Sequence, residues 1–133
     1  VPGTLLDLGA GAGLLGILAA RAGARATAVD VDGTAREAAA ANARLSGITL
    51  TIRAEAPPGL FDAAVANIRA PVLLALLPDL VARVAPGGWL VLAGFRRSHA
   101  DAFRRGLGGW DAVAALDEDG WLGWAVRRPG SSA

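Results

Sequence analysis

The chain has 133 residues, 53% of them apolar and 19% charged, with a formal net charge of +1; this fits one globular domain over residues 1–133 and excludes a long disordered segment. Cysteine is absent, which removes disulfide scaffolds, thiolate metal sites and cysteine nucleophiles, and no His or carboxylate cluster has metal-ligand spacing. The basic residues are all Arg and mostly scattered, and the apolar run between Asp7 and Arg21 is interrupted by glycines, so neither broad nucleic-acid binding nor a membrane-spanning helix is expected.

In chain order, Thr4 to Leu8 is a short apolar run that stops at glycines, and a longer apolar stretch from Gly13 to Ala22 ends at Gly23. This reads as strand, tight loop and helix. Small residues from Arg25 to Val29 end in Asp30, and an Ala-rich stretch from Thr34 to Leu45 closes at Ser46-Gly47; a second strand and helix are predicted. Leu50 to Arg53 can form a third strand, followed by a loop at Pro57-Pro58-Gly59, since adjacent prolines donate no N–H.

Asp62 to Asn67 is a fourth strand, and Pro71 sits in the first turn of a helix running to about Val84. Pro86-Gly87-Gly88 ends that helix before a uniformly apolar strand, Trp89 to Ala93, of the kind buried on both faces of a parallel sheet. Ser98 and Asp101 have capping-box spacing before a short helix ending near Gly106. Ala112 to Leu116 and Trp121 to Arg127 flank Glu118-Asp119-Gly120 as a hairpin. Alternating strands and helices with a closing hairpin imply an α/β fold. The expected architecture is an open, mostly parallel seven-stranded sheet with helices on both faces and an antiparallel C-terminal edge.

The chemistry concentrates in Asp7-Leu8-Gly9-Ala10-Gly11-Ala12-Gly13, which follows a strand and opens a helix. Glycines there allow a sharp turn and close ligand approach, and free N–H groups at the helix start are expected to attract polar ligand groups. Two ligands compete. Gly11-Ala12-Gly13-Leu14-Leu15-Gly16 fits the dinucleotide pattern with Asp30 at ribose distance. Against a dinucleotide stands Asp7, whose carboxylate would face a pyrophosphate with nothing to neutralise it. A cationic amino-acid ligand such as S-adenosylmethionine suits it better.

Asp7 through Gly13 resembles the first motif of class I S-adenosylmethionine-dependent methyltransferases, and Ala28-Val29-Asp30-Val31-Asp32 resembles the second. Ala41-Asn42-Ala43, Phe61 to Ile68 and Val84 to Leu90 extend the series in order. Within that class, the run from Ala66 to Gly94 and the tail from Asp117 to Arg128 most resemble the catalytic domain of the PrmA-type ribosomal protein methyltransferases.

The resemblance implies a Rossmann-like fold and methyl transfer to amino groups of a protein, expected to be a large-subunit ribosomal protein; the absence of cysteine and of an export-like N-terminus makes the cytoplasm the expected location. It assigns cofactor contacts to Asp7, Gly9, Gly11, Gly13, Asp30, Val31, Glu55 and Asn67. Asn67 and the backbone of Ile68 would hold the acceptor nitrogen. The alternatives are a helix-capping Asn67, a solvated Glu55 and a core Val31. Asp32 is expected to cap a helix, Asp62 to have a structural partner, and His99 to be polar surface.

The resemblance also marks departures. Family members carry an N-terminal recognition domain, a linker and a cofactor-enclosing segment that this sequence does not show. With no methionine at all, the chain is expected to be a processed or excised piece, shortened at its N-terminal side, with an apolar patch left exposed on the sheet. A non-catalytic binding module and a methyltransferase for another protein or a small molecule remain open at this level.

Overall fold

The computed structural model describes residues 3–130. Its strands are β1 (Thr4–Leu8), β2 (Arg25–Val29), β3 (Thr51–Arg53), β4 (Phe61–Asn67), β5 (Val84–Arg96), β6 (Asp111–Glu118) and β7 (Trp121–Arg127). The helices are α1 (Leu14–Arg21), α2 (Gly33–Ser46), α3 (Ala70–Arg83) and α4 (Ala100–Gly106). The strands form one sheet in the order β3-β2-β1-β4-β5-β7-β6. The first five are parallel, and β7 runs antiparallel between β5 and β6. The expected sheet is therefore present.

Each face of the sheet has its own helical cover. On one face α3 buries Leu73, Leu77 and Leu80, a helical stripe one turn apart, against Leu6, Leu90, Leu92 and Phe95. Phe103 of α4 joins them, with its ring centroid 4.6 Å from that of Phe95. On the other face α1 packs over Leu5, Ala26 and Ala63, with α2 beside it. Leu14 and Leu18 of α1 point outward, 64% and 63% exposed, and Trp89 of β5 is only half-buried.

Two local expectations are corrected. Pro86-Gly87-Gly88 lies within β5: Val84 pairs with Phe61, the register then shifts, and Gly87 and Gly88 exchange backbone hydrogen bonds with Arg128. Pairing on both sides keeps that stretch extended. Ser98 caps nothing, because it sits inside a 3₁₀ turn, Arg97–His99, that leads directly into α4. Asp101 instead pairs with Arg104 at 2.8 Å.

Asp32, Asp62 and the closing hairpin stand as expected. Asp32 accepts the Thr34 N–H at 2.9 Å and caps α2. Asp62 accepts both the N–H and the hydroxyl of Thr4, at 2.9 and 3.1 Å, and ties β4 to β1. The hairpin turns at Asp119 and Gly120, both with positive φ, which matches the twist of its strands. Among the described residues no helix is long and apolar enough to cross a membrane, and no group of His or carboxylate side chains could hold a metal ion.

Candidate active site at the carboxyl edge of the sheet

Strands β1, β2 and β4 are parallel and in register, so their carboxyl ends lie side by side. Leu8 pairs with Val29 on one flank and Ala66 on the other. Residues that follow these ends converge there, as in other open α/β sheets. A cleft of about 230 Å³ opens at this edge, lined by Asp7, Gly9, Ala10, Ala12, Leu14, Leu15 and Asn67.

Asp7 is the buried acid of the site. It is 2% exposed, and its Oδ2 has no hydrogen-bond partner among the described residues. Burial pushes its pKa up to about 6, the Gly16 backbone N–H in the first turn of α1 pulls it back, and the nearby negative charge of Asp30 raises it further. A buried carboxylate oxygen without a donor is an acceptor awaiting a partner, since leaving it so costs free energy.

The glycine loop is held largely by the protein's own groups. Gly9 and Ala10 both donate to the Val29 carbonyl, at 2.8 and 3.0 Å, and Gly13 donates to Ala10 at 3.0 Å. Gly11 donates to Asp30 Oδ2 at 2.9 Å, while Asp30 Oδ1 accepts from Asp32 N–H at 3.0 Å. The loop folds back over the end of β2, whose carbonyl and carboxylate accept from Gly9, Ala10 and Gly11. A pyrophosphate would meet spent N–H groups and two carboxylates, so the geometry disfavours a dinucleotide.

Close packing explains two of the glycines. With φ at +71°, Gly9 lies so near Ile68 that a Cβ would overlap Ile68 Cγ2; Gly13, φ +83°, sits against Ala39 of α2, where a Cβ would come within 2.9 Å of the Ala39 methyl. The glycine loop thus touches the segment expected to receive the acceptor.

Asn67 is exposed at the end of β4, with Oδ1 lying over Gly94 of β5. It caps no helix: the N-cap of α3 is Arg69, and it makes no side-chain cap bond. Val31 is 87% exposed beside Asp30, so it is not core. Glu55 is exposed in the loop after β3 and does not line the cleft. His99 is half-buried rather than surface, with Nδ1 buried and unpartnered among the described residues.

Sequence reasoning assigned no role to two residues of α2. Asn42 Nδ2 donates to the Ala12 carbonyl at 2.9 Å, and Arg36 donates to the Asp30 carbonyl at 2.8 Å. The available signal was a polar side chain in an otherwise Ala-rich helix turn. A larger hollow of about 370 Å³ lies between α4 and the hairpin, lined by Leu107, Trp110, Ala114, Trp124 and Arg104. No carboxylate or side-chain amide faces it, so its size does not make it the reactive site.

This strand order, with a glycine loop after β1 and acids at the ends of β1 and β2, defines a Rossmann-like methyltransferase fold. The sequence profile described as ribosomal protein L11 methyltransferase (PrmA) matches residues 2–129, and the chain belongs to that family. It is 40% identical over 130 residues to the ribosomal protein L11 methyltransferase of Dechloromonas aromatica (strain RCB), covering 95% of this chain and 44% of that protein. The chain thus spans under half the length of that relative.

Among solved structures, the ribosomal protein L11 methylase of Lactobacillus delbrueckii subsp. bulgaricus superposes with a TM-score of 0.90 at 29% identity. That match covers 97% of this chain and 71% of that one. An RNA methyltransferase from Salinibacter ruber in complex with S-adenosyl-L-homocysteine gives 0.75 at 25% identity, covering 98% and 83%.

Proposed function

We propose that this chain binds S-adenosylmethionine and forms the methyl-transfer unit of a protein N-methyltransferase whose acceptor is a large-subunit ribosomal protein in the cytoplasm. The observation that carries the reading is the buried Oδ2 of Asp7, unpartnered among the described residues, beside a loop whose Gly9, Ala10, Gly11 and Gly13 N–H groups are already bonded. Such a site favours a cationic ligand over an anionic one. The family membership and the S-adenosyl-L-homocysteine complex of the Salinibacter ruber enzyme support it.

The residues fit the cofactor. Asp7 would hold its ammonium group, Asp30 its ribose hydroxyls, and the exposed Val31 one face of its adenine. Gly9, Gly11 and Gly13 let the backbone approach it, and Glu55 would reach the adenine amino group from the loop after β3. When bound, S-adenosylmethionine supplies an electrophilic methyl group. Asn67 would accept a hydrogen bond from the incoming amine through Oδ1, and the Ile68 backbone would orient it while the nitrogen lone pair stays free. Positioning of this kind is worth roughly 7–11 kcal/mol of barrier, so no acid–base machinery is needed.

Titration calorimetry with S-adenosylmethionine and S-adenosyl-L-homocysteine tests the reading. Saturable binding that Asp30→Ala severely weakens is the expected result. A folded sample that takes up NADH and ignores both sulfur ligands would overturn it. Transfer of labelled methyl groups to an amine of a ribosomal protein tests the acceptor.

A further inference from the structure

We propose that Asn42 is a positioning residue that clamps the crest of the glycine loop from α2 and so presets the cofactor cleft. The inference rests on the methyltransferase reading above and concerns a side chain outside the cleft. The crest is the least supported part of the loop. A Cβ on Gly11 would meet no atom within 4 Å, so packing does not hold it, and Gly9, Gly11 and Gly13 all have positive φ. A backbone this permissive has many alternatives to the observed conformation.

Two long-range hydrogen bonds select one of them. From β2, the Asp30 carboxylate accepts the Gly11 N–H; from α2, Asn42 donates Nδ2–H to the carbonyl of the next residue, Ala12, at 2.9 Å. The side chains hold opposite polar groups of the two peptides that flank the Gly11–Ala12 peptide, which limits the rotation of the plane between them. Ala12 lines the cleft with Asp7 and Asn67, so that rotation shapes the ligand's wall.

The clamp itself is anchored. Asp32 caps α2, and Arg36 ties its first turn to the Asp30 carbonyl. One turn before Asn42, Ala39 carries Gly13. Loop, β2 end and α2 therefore form one unit, and Asn42 is its contact with the crest.

A purely structural role for Asn42 would lower stability and leave binding intact, so the two can be separated. Asn42→Ala deletes the donor in a helix where alanine is the best former, which keeps the variant folded. On the full chain, amide hydrogen exchange at Gly11 and Gly13 and calorimetric affinity for S-adenosyl-L-homocysteine are measured together. Expected are exchange at these amides at least about tenfold faster, unchanged exchange in β4 and β5, and affinity weakened about tenfold or more, with partial recovery in Asn42→Gln, which keeps an amide donor. Loop exchange and affinity both within twofold of the parent chain would overturn the proposal. Should the parent bind neither sulfur ligand, the methyltransferase reading fails separately, and unchanged loop exchange in Asn42→Ala still rejects the clamp.

Discussion

The carboxylate of Asp30 accepts the backbone N–H of Gly11 across 19 positions of sequence, at 2.9 Å. The acid expected to bind ribose therefore also braces the loop beneath it, and Asp30→Ala should show both losses. Two N–H groups, of Gly11 and Asp32, lose their acceptor, so stability should fall by about 1–3 kcal/mol alongside the loss of cofactor affinity. Urea unfolding and calorimetry on the same preparation check this; unchanged stability would mean that water replaces the carboxylate.

Asp7 makes stability depend on pH in a defined direction. Its folded pKa of about 6 lies above the ordinary 3.8, so its contribution is fully present below about pH 4 and is lost as pH rises through 6. Between those limits ionisation costs the free protein about 3 kcal/mol, a cost that Asp7→Asn removes. Urea midpoints of the two proteins should diverge from pH 4 to 7.5, the parent falling. A ligand cation reverses the sign, so cofactor affinity should strengthen through the same window with release of a proton.

Gly9 and Ile68 should be energetically coupled. Gly9→Ala forces a side chain into the left-handed region, costing about 1–2 kcal/mol, and adds the overlap with Ile68 Cγ2. Ile68→Ala removes that atom. In a double-mutant cycle read by thermal unfolding, Gly9→Ala should cost less in the Ile68→Ala background, with a coupling of about 0.5–3 kcal/mol. Additive effects would show that the two segments do not touch in solution.

Asn67 should separate chemistry from binding. Exposed and capping no helix, it can be replaced by Ala with a stability change within about 0.5 kcal/mol. Methyl transfer should fall roughly 100-fold as the acceptor loses its orientation, with cofactor affinity little changed. Single-turnover assays with labelled cofactor distinguish this from a cofactor role, in which affinity would fall instead.

The alternation of strands and helices was legible because it is local: apolar runs, glycine stops and the Asp32 cap each act within a few residues. So was the placement of Asp7, Gly9 and Asn67 at one edge, which follows from parallel strands of similar length. The bonding of the loop was not, because the Val29 carbonyl lies about 20 positions from the N–H groups it accepts and no periodicity encodes that closure. Asn42 was hidden for the same reason. His99 was misplaced because its half-burial depends on tertiary packing around the 3₁₀ turn that precedes α4.

The position of β7 sets an order on folding. Every residue lining the cleft at the sheet edge lies at or before Asn67, yet among the described residues β5 gains its second neighbour and β6 its only one from Trp121–Arg127. While the nascent chain is still short of Trp121, β5 stands as an unpaired rim carrying Trp89, Leu90, Val91 and Leu92, an adhesive surface for any other extended chain. Truncations just upstream of Trp121 should therefore yield aggregates in spite of an intact glycine loop, whereas restoring the final strand should return them to solution.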